Sequence, residues 1–172
     1  NGTSTYTNVD NIYTNIDNFK HSYFDETPFY SHDLNVSTFY SHLKNLHEIY
    51  RKYEDVSEST DEALISYCKK NDFYNCFIVF DEAYNFFDNQ DRVKIWYLNY
   101  CRHLHHHVFL LTPNISSIHT KYRKAPQIYI KAISDTNRIG SGFKFNKYED
   151  SSMRSKIETE TMYAKYAFGS FT

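Results

Sequence analysis

The sequence predicts an α/β domain: a mostly parallel sheet flanked by helices, with an antiparallel β-hairpin near the C-terminal end. Three observations carry that expectation. Cys76–Phe80 (CFIVF) and Val108–Leu111 (VFLL) are apolar at every position, as strands buried on both faces are. Between them Val93, Trp96, Tyr97 and Tyr100 recur at helical spacing, so strand, helix and strand follow in the order of a right-handed crossover. After Gly140 and Gly142 the pattern changes to alternation, first in Phe143, Phe145 and Tyr148 and again in Met162, Ala164 and Tyr166.

The remaining elements follow in chain order. Residues 1–33 are rich in Asn, Asp, Tyr and Thr and have poor periodicity, but Ile12–Ile16 (IYTNI) alternates and reads as a short strand. Ser37 or Thr38 can cap a helix whose apolar positions, Phe39, Leu43, Leu46, Tyr50 and Tyr53, fall on one face. Ser59-Thr60-Asp61-Glu62 has the form of a capping box and predicts a second helix through Leu64, Ile65, Tyr67 and Cys68. Gln127–Ile133 reads as a third strand of the buried kind.

At 172 residues the chain is the length of one domain, and no repeat or low-complexity linker divides it. Leu, Ile, Val and Phe make up 24% of it and the net charge is only −2, which excludes a chain disordered throughout. The longest strictly apolar run has five residues, too short to cross a membrane, and no signal peptide opens the chain. It starts at Asn1 rather than Met, as a fragment or processed form would. With 19 basic and 21 acidic residues there is no strong nucleic-acid signal. Cys68, Cys76 and Cys101 are odd in number and lack CxxC spacing, so reduced, buried thiols are expected rather than a disulfide framework or zinc site.

The chemistry-bearing pattern is Asp81-Glu82 at the end of the CFIVF run. Apolar residues followed by Asp-Glu form the Walker B arrangement, in which the first carboxylate supports magnesium through water and the second orients the attacking water. The plainer reading is two carboxylates opening a turn. No G-x-x-x-x-G-K-[ST] loop is present, and Gly2, Gly140, Gly142 and Gly169 cannot form one. His103 and His107 would share a helical face, but no nearby carboxylate completes a metal site, so His103, His105, His106 and His107 read as edge or interface histidines.

Residues 77–87, FIVFDEAYNFF, resemble the DEAHxxF segment of the zonular occludens toxin (Zot) family, which includes the inner-membrane assembly and export ATPases of filamentous phages. Further segments are similar in the same order. Tyr13–Ile16 resembles the family's VTNI strand, Cys101–His107 its HRHxGxD run, Phe109–Pro113 its ILITQ strand, and Ile115–Arg123 its IxxIDxxxR helix. Tyr166–Ser170 resembles the aromatic strand before a linker and transmembrane segment. Tyr84, Cys101 and Pro113 stand where the family carries His, His and Gln.

The resemblance implies a single P-loop NTPase-like domain over residues 1–172, its Walker A portion lying before residue 1. It implies ATP and magnesium as cofactors: Asp81 holding the ion through water, Glu82 orienting water, Thr112 sensing the γ-phosphate, Arg102 acting on a neighbouring subunit's nucleotide and Arg123 lying near it. It further implies a homo-oligomer that contacts phage coat or assembly proteins, at the cytoplasmic face of the bacterial inner membrane, reached through a C-terminal segment. Two alternatives are a degenerate, non-hydrolysing scaffold, favoured by Pro113 and the missing loop, and a host-directed toxin effector.

Overall fold

The computed structural model describes residues 10–17, 19, 30–53, 57–133 and 142–163. In chain order the elements are β1 (Asn11–Thr14), β2 (Tyr30–Asp33), α1 (Val36–Tyr53), α2 (Ser57–Lys70), β3 (Cys76–Phe80), α3 (Arg92–Tyr100), β4 (His107–Leu110), β5 (Tyr129–Ala132), β6 (Gly142–Tyr148) and β7 (Lys156–Tyr163). The first four strands form one parallel sheet in the order β2-β1-β3-β4. The last three form a separate antiparallel sheet, β5-β6-β7.

The CFIVF strand organises the domain. Cys76, Ile78 and Phe80 alternate onto one face and are buried with Phe39, Leu43 and Leu46 of α1, Leu64 and Cys68 of α2 and Tyr97 of α3. The three helices belong to crossovers that run in the same direction along the sheet, β2 to β3 and β3 to β4. A constant right-handed sense therefore puts them all on one face. Phe39 is the hub: its ring meets Phe73, Phe80 and Tyr97 edge-on, with centroids 5.3 to 5.5 Å away. On the other face Phe77 and Val79 are half-buried, and the Phe77 ring lies 5.0 Å from His107 and 5.6 Å from Phe109.

Beneath the helices, at the amino-terminal end of β4, His106 is buried between two partners. Its Nε2 donates to the Phe73 carbonyl at 2.6 Å, and its Nδ1 accepts from the Tyr97 hydroxyl at 3.0 Å. The carbonyl can only accept, which fixes the proton on Nε2. Burial pushes the His106 pKa down to about 4, so the ring stays neutral around pH 7.

Several local expectations are corrected. α1 starts at Val36 and is capped by Asn35, whose Oδ1 accepts from the Thr38 N–H at 2.9 Å; neither Ser37 nor Thr38 is the cap. α2 starts at Ser57, before the supposed capping box, and Thr60 instead turns its hydroxyl back to the Tyr53 carbonyl at 2.5 Å. Gln127–Ile133 is no buried parallel strand. Its strand covers Tyr129–Ala132, is exposed apart from Tyr129, and pairs antiparallel with β6. β2 (YSHD) has no sequence signal; it forms because the β1 edge supplies partners for a polar, largely exposed strand.

The C-terminal hairpin is present as β6 and β7. The pairing passes from Lys147↔Glu158 to Tyr148↔Lys156, so Ile157 is the extra residue of a bulge on β7. Lys147 reaches Glu158 at 2.8 Å and Glu160 at 2.6 Å across the ladder. Ala164, Tyr166 and the aromatic segment 166–170 lie outside the described residues. All three cysteines are free thiols. Burial pushes the Cys68 pKa up to about 12, so its thiol stays protonated and unreactive. Among the described residues no helix is long and apolar enough to cross a membrane.

Candidate functional site

In parallel sheets ligands bind beyond the carboxyl ends of the strands, where the backbone ladders stop and loops diverge. Here that end opens as a cleft of about 450 Å³ lined by Asn15, Asp17, Val36, Phe80, Asp81, Glu82, Asn85 and Phe86. A second recess of about 370 Å³, lined by Asp10, Asn11, Lys69, Asp72 and Tyr74, lies at the opposite end of the sheet. The carboxyl-end cleft is the one that holds the Asp81-Glu82 pair.

The turn that carries the pair is fixed from three sides. The β1–β3 ladder ends at Thr14 opposite Val79, and the Asn15 side chain then acts as one more rung. Its Nδ2 donates to the Asp81 carbonyl at 3.0 Å, and its Oδ1 accepts from the Asp81 N–H at 2.7 Å. On the β4 side, Leu111 N–H donates to the Phe80 carbonyl at 2.8 Å and Ala83 N–H to the Leu111 carbonyl at 2.9 Å. Within the turn, the Asp81 carboxylate accepts from the Glu82 N–H at 2.9 Å, and Glu82 adopts left-handed backbone angles, φ 47° and ψ 43°. A non-glycine residue there costs about 1 to 2 kcal/mol, so its neighbours must hold it.

Beyond Glu82 a single 3₁₀ turn, Ala83–Asn85, redirects the chain, and Phe86 and Phe87 bury themselves against Phe80. Lys94 of α3 donates from Nζ to the Phe86 carbonyl at 2.5 Å and lies 4.1 Å above the Phe86 ring. Burial draws the Lys94 pKa below its ordinary value. α3 itself is capped by Asp91, which accepts from the N–H groups of Val93 and Lys94 and from the Tyr40 hydroxyl. Burial pushes the Asp91 carboxyl up, but these donors and the Lys94 charge outweigh it, and its pKa ends lower than 3.8.

Of the sequence-predicted site residues, the structure brings Asp81 and Glu82 together at the cleft. Thr112 follows the end of β4 close by, outside the lining, and its hydroxyl donates to the Asn114 carbonyl at 2.9 Å. Arg102 is exposed on a 3₁₀ turn, Cys101–Leu104, before β4, at the opposite end of the sheet. Arg123 sits on the turn Tyr122–Lys124 with its Nε buried and without a hydrogen-bond partner. Neither arginine lines the cleft. That 3₁₀ turn also removes the helix on which His103 and His107 would share a face, and no cluster of His, Cys, Asp and Glu among the described residues could hold a metal ion.

Sequence reasoning missed Asn15, Asp17 and Asn85. Asn15 and Asn85 lie inside segments that drew notice, TNI and DEAYNFF, but an amide bonded to a peptide 66 positions away leaves no periodic signal.

A parallel sheet with the acid pair at its carboxyl end places the chain in a structural class. The solved N-terminal domain of zonular occludens toxin from Neisseria meningitidis is similar, with a TM-score of 0.55 and 14% identity over 95% of this chain and 80% of that one. At that identity the likeness shows the fold alone, a P-loop NTPase-like α/β domain. The family model described as zonular occludens toxin (Zot) matches residues 8–169, and the chain belongs to the Zot family. Among curated proteins none matches the chain.

Proposed function

We propose that this is the ATPase domain of a Zot-type protein that drives filamentous phage assembly and export from the cytoplasmic face of the inner membrane. The observation that carries the reading is the braced Asp81-Glu82 turn at the mouth of the carboxyl-end cleft. Asp81 is suited to hold magnesium: the metal-ligating groups among the described residues of the cleft are oxygens, the set a hard cation takes, and one or two carboxylates are what that ion uses beside phosphates and water. Bound there, the ion would neutralise phosphate charge. Glu82, exposed at the rim, is placed to orient water.

The nucleotide's phosphates need a cradle of backbone N–H groups with a lysine; among the described residues that line the Asp81 cleft there is no lysine, and that part of the cradle is assigned to a P-loop segment preceding residue 1. Arg102 lies too far round the sheet to serve its own cleft, which fits a role on a neighbouring subunit in a homo-oligomer. Arg123 is assigned to nucleotide contact. Phage coat or assembly proteins and a C-terminal membrane segment complete the picture.

A second reading, a non-hydrolysing scaffold, is favoured by the end of β4: the Thr112 hydroxyl is engaged by its own loop, and Pro113 offers no N–H. The full-length protein separates the two. As an ATPase it hydrolyses ATP in the presence of magnesium and loses that activity, with phage export, in Glu82→Gln. Unchanged hydrolysis or export in that variant sinks the enzyme reading.

A further inference from the structure

The cleft contains a residue whose geometry gives it a role beside the acid pair. The Glu82 peptide is held by hydrogen bonds on both sides, but its side chain is exposed on a left-handed residue at the rim, with the rotamer freedom of a long carboxylate. Asn85 removes part of that freedom. Its backbone N–H donates to the Glu82 carbonyl at 2.9 Å, and its Nδ2 donates to Glu82 Oε2 at 3.1 Å. The amide orientation is forced, because a carboxylate oxygen can only accept from the nitrogen. One side chain thus measures its position from the Glu82 main chain and fixes the Glu82 carboxylate relative to it.

We propose that Asn85 is the positioning residue for Glu82: its amide holds Oε2, so that Oε1 is the oxygen presented to the water that Glu82 orients. This rests on the ATPase reading of the cleft. Asn15 contributes at the other end of the turn, since it locks the Asp81 peptide and leaves the Glu82 side-chain torsions as the remaining variables. Asn85 is exposed and can be replaced without opening a cavity. Reaction rate is sensitive to this placement, because a misaligned water loses much of the advantage of proximity.

Two measurements test the role. In the full-length protein, Asn85→Ala and Asn85→Asp should lower kcat for ATP hydrolysis by about 10- to 100-fold, Asp the more because it repels Glu82. The KM for ATP should stay within about twofold, the signature of a lost transition-state contact, and Asn85→Gln, which keeps the donor, should recover most of the rate. In the 172-residue chain, the side-chain amide NMR signals of Asn85 should move in Glu82→Ala and stay in place in Asp17→Ala.

If the wild type hydrolyses ATP and Glu82→Gln does not, yet Asn85→Ala and Asn85→Asp keep the full kcat, the Asn85 assignment alone is overturned. Asn85 amide signals indifferent to Glu82→Ala overturn it too, whatever the hydrolysis result. If Glu82→Gln is itself without effect, the ATPase reading fails first and takes this role with it.

Discussion

The two ends of β3 and β4 are built on opposite principles. At the amino-terminal end His106, Phe73 and Tyr97 are buried, every polar atom of the imidazole is paired, and the histidine is held neutral. At the carboxyl-terminal end the same strands stop at an open cleft, where two carboxylates stand on a left-handed turn braced by side-chain amides. One end spends its polar groups on stability. The other holds the Asp81 peptide with a half-buried amide and leaves the Glu82 carboxylate exposed, which is what a site for chemistry needs and a core does not.

The largest expected effect tests whether the two ends are mechanically one unit. Phe39 touches Phe73 at the closed end and Phe80 and Phe86 at the open end. Phe39→Ala should therefore lower unfolding free energy by about 3 to 5 kcal/mol in urea denaturation. Proton exchange at the amides of β3 should loosen at both ends together. Loosening at one end only would break the idea that a single aromatic hub supports both.

Next is the pH dependence of the closed end. The folded-state pKa of His106 is depressed to about 4, while the unfolded chain protonates near 6.5, so the unfolded state binds the extra proton between those values. Its contribution to stability is complete above about pH 6.5 and falls away as pH drops toward 4, by up to roughly 3 kcal/mol. Urea unfolding of the wild type across that window should show the slope, and His106→Asn should be less stable at pH 7 yet lose most of the slope.

These two ends were not equally legible in the sequence. CFIVF, VFLL and the Phe39–Leu43–Leu46 spacing specify the sheet and its helical cover because apolar periodicity is local. The acid pair was legible because strand and turn are adjacent in sequence. What stayed hidden was long-range or polar: β2, which has no apolar pattern and exists only because β1 offers an edge; the Asn15–Asp81 rung, made across the sheet; and His106, which reads like its three histidine neighbours until the fold buries it alone. Gln127–Ile133 misled for the converse reason, since an apolar run is silent on which sheet it joins.

A smaller effect sharpens the open end. Asn15→Ala removes both partners of the Asp81 peptide at a half-buried site, and should cost about 1 to 2 kcal/mol. Asn15→Asp should cost at least as much, since a carboxylate cannot donate to the Asp81 carbonyl. If both variants unfold at the wild-type urea concentration, solvent replaces the rung and the brace is dispensable.

The smallest expected change has the opposite sign. Glu82 and His105 both hold left-handed backbone angles, φ 47° and 57°, one at each end of the sheet. Glycine takes such angles without a Cβ penalty, so each substitution to Gly should raise stability by about 0.5 to 1 kcal/mol, after the entropy glycine itself loses. At His105 the gain is reduced by the ring contact with Tyr74, at 5.2 Å, and should carry no other consequence. At Glu82 the same gain should come with complete loss of ATP hydrolysis in the full-length protein. A glutamate kept where glycine is the easier residue is then explained by its carboxylate, and the left-handed turn is the means of aiming it. If Glu82→Gly is stabilised and exports phage as the wild type does, the carboxylate has no task there, and the scaffold reading takes the place of the enzyme.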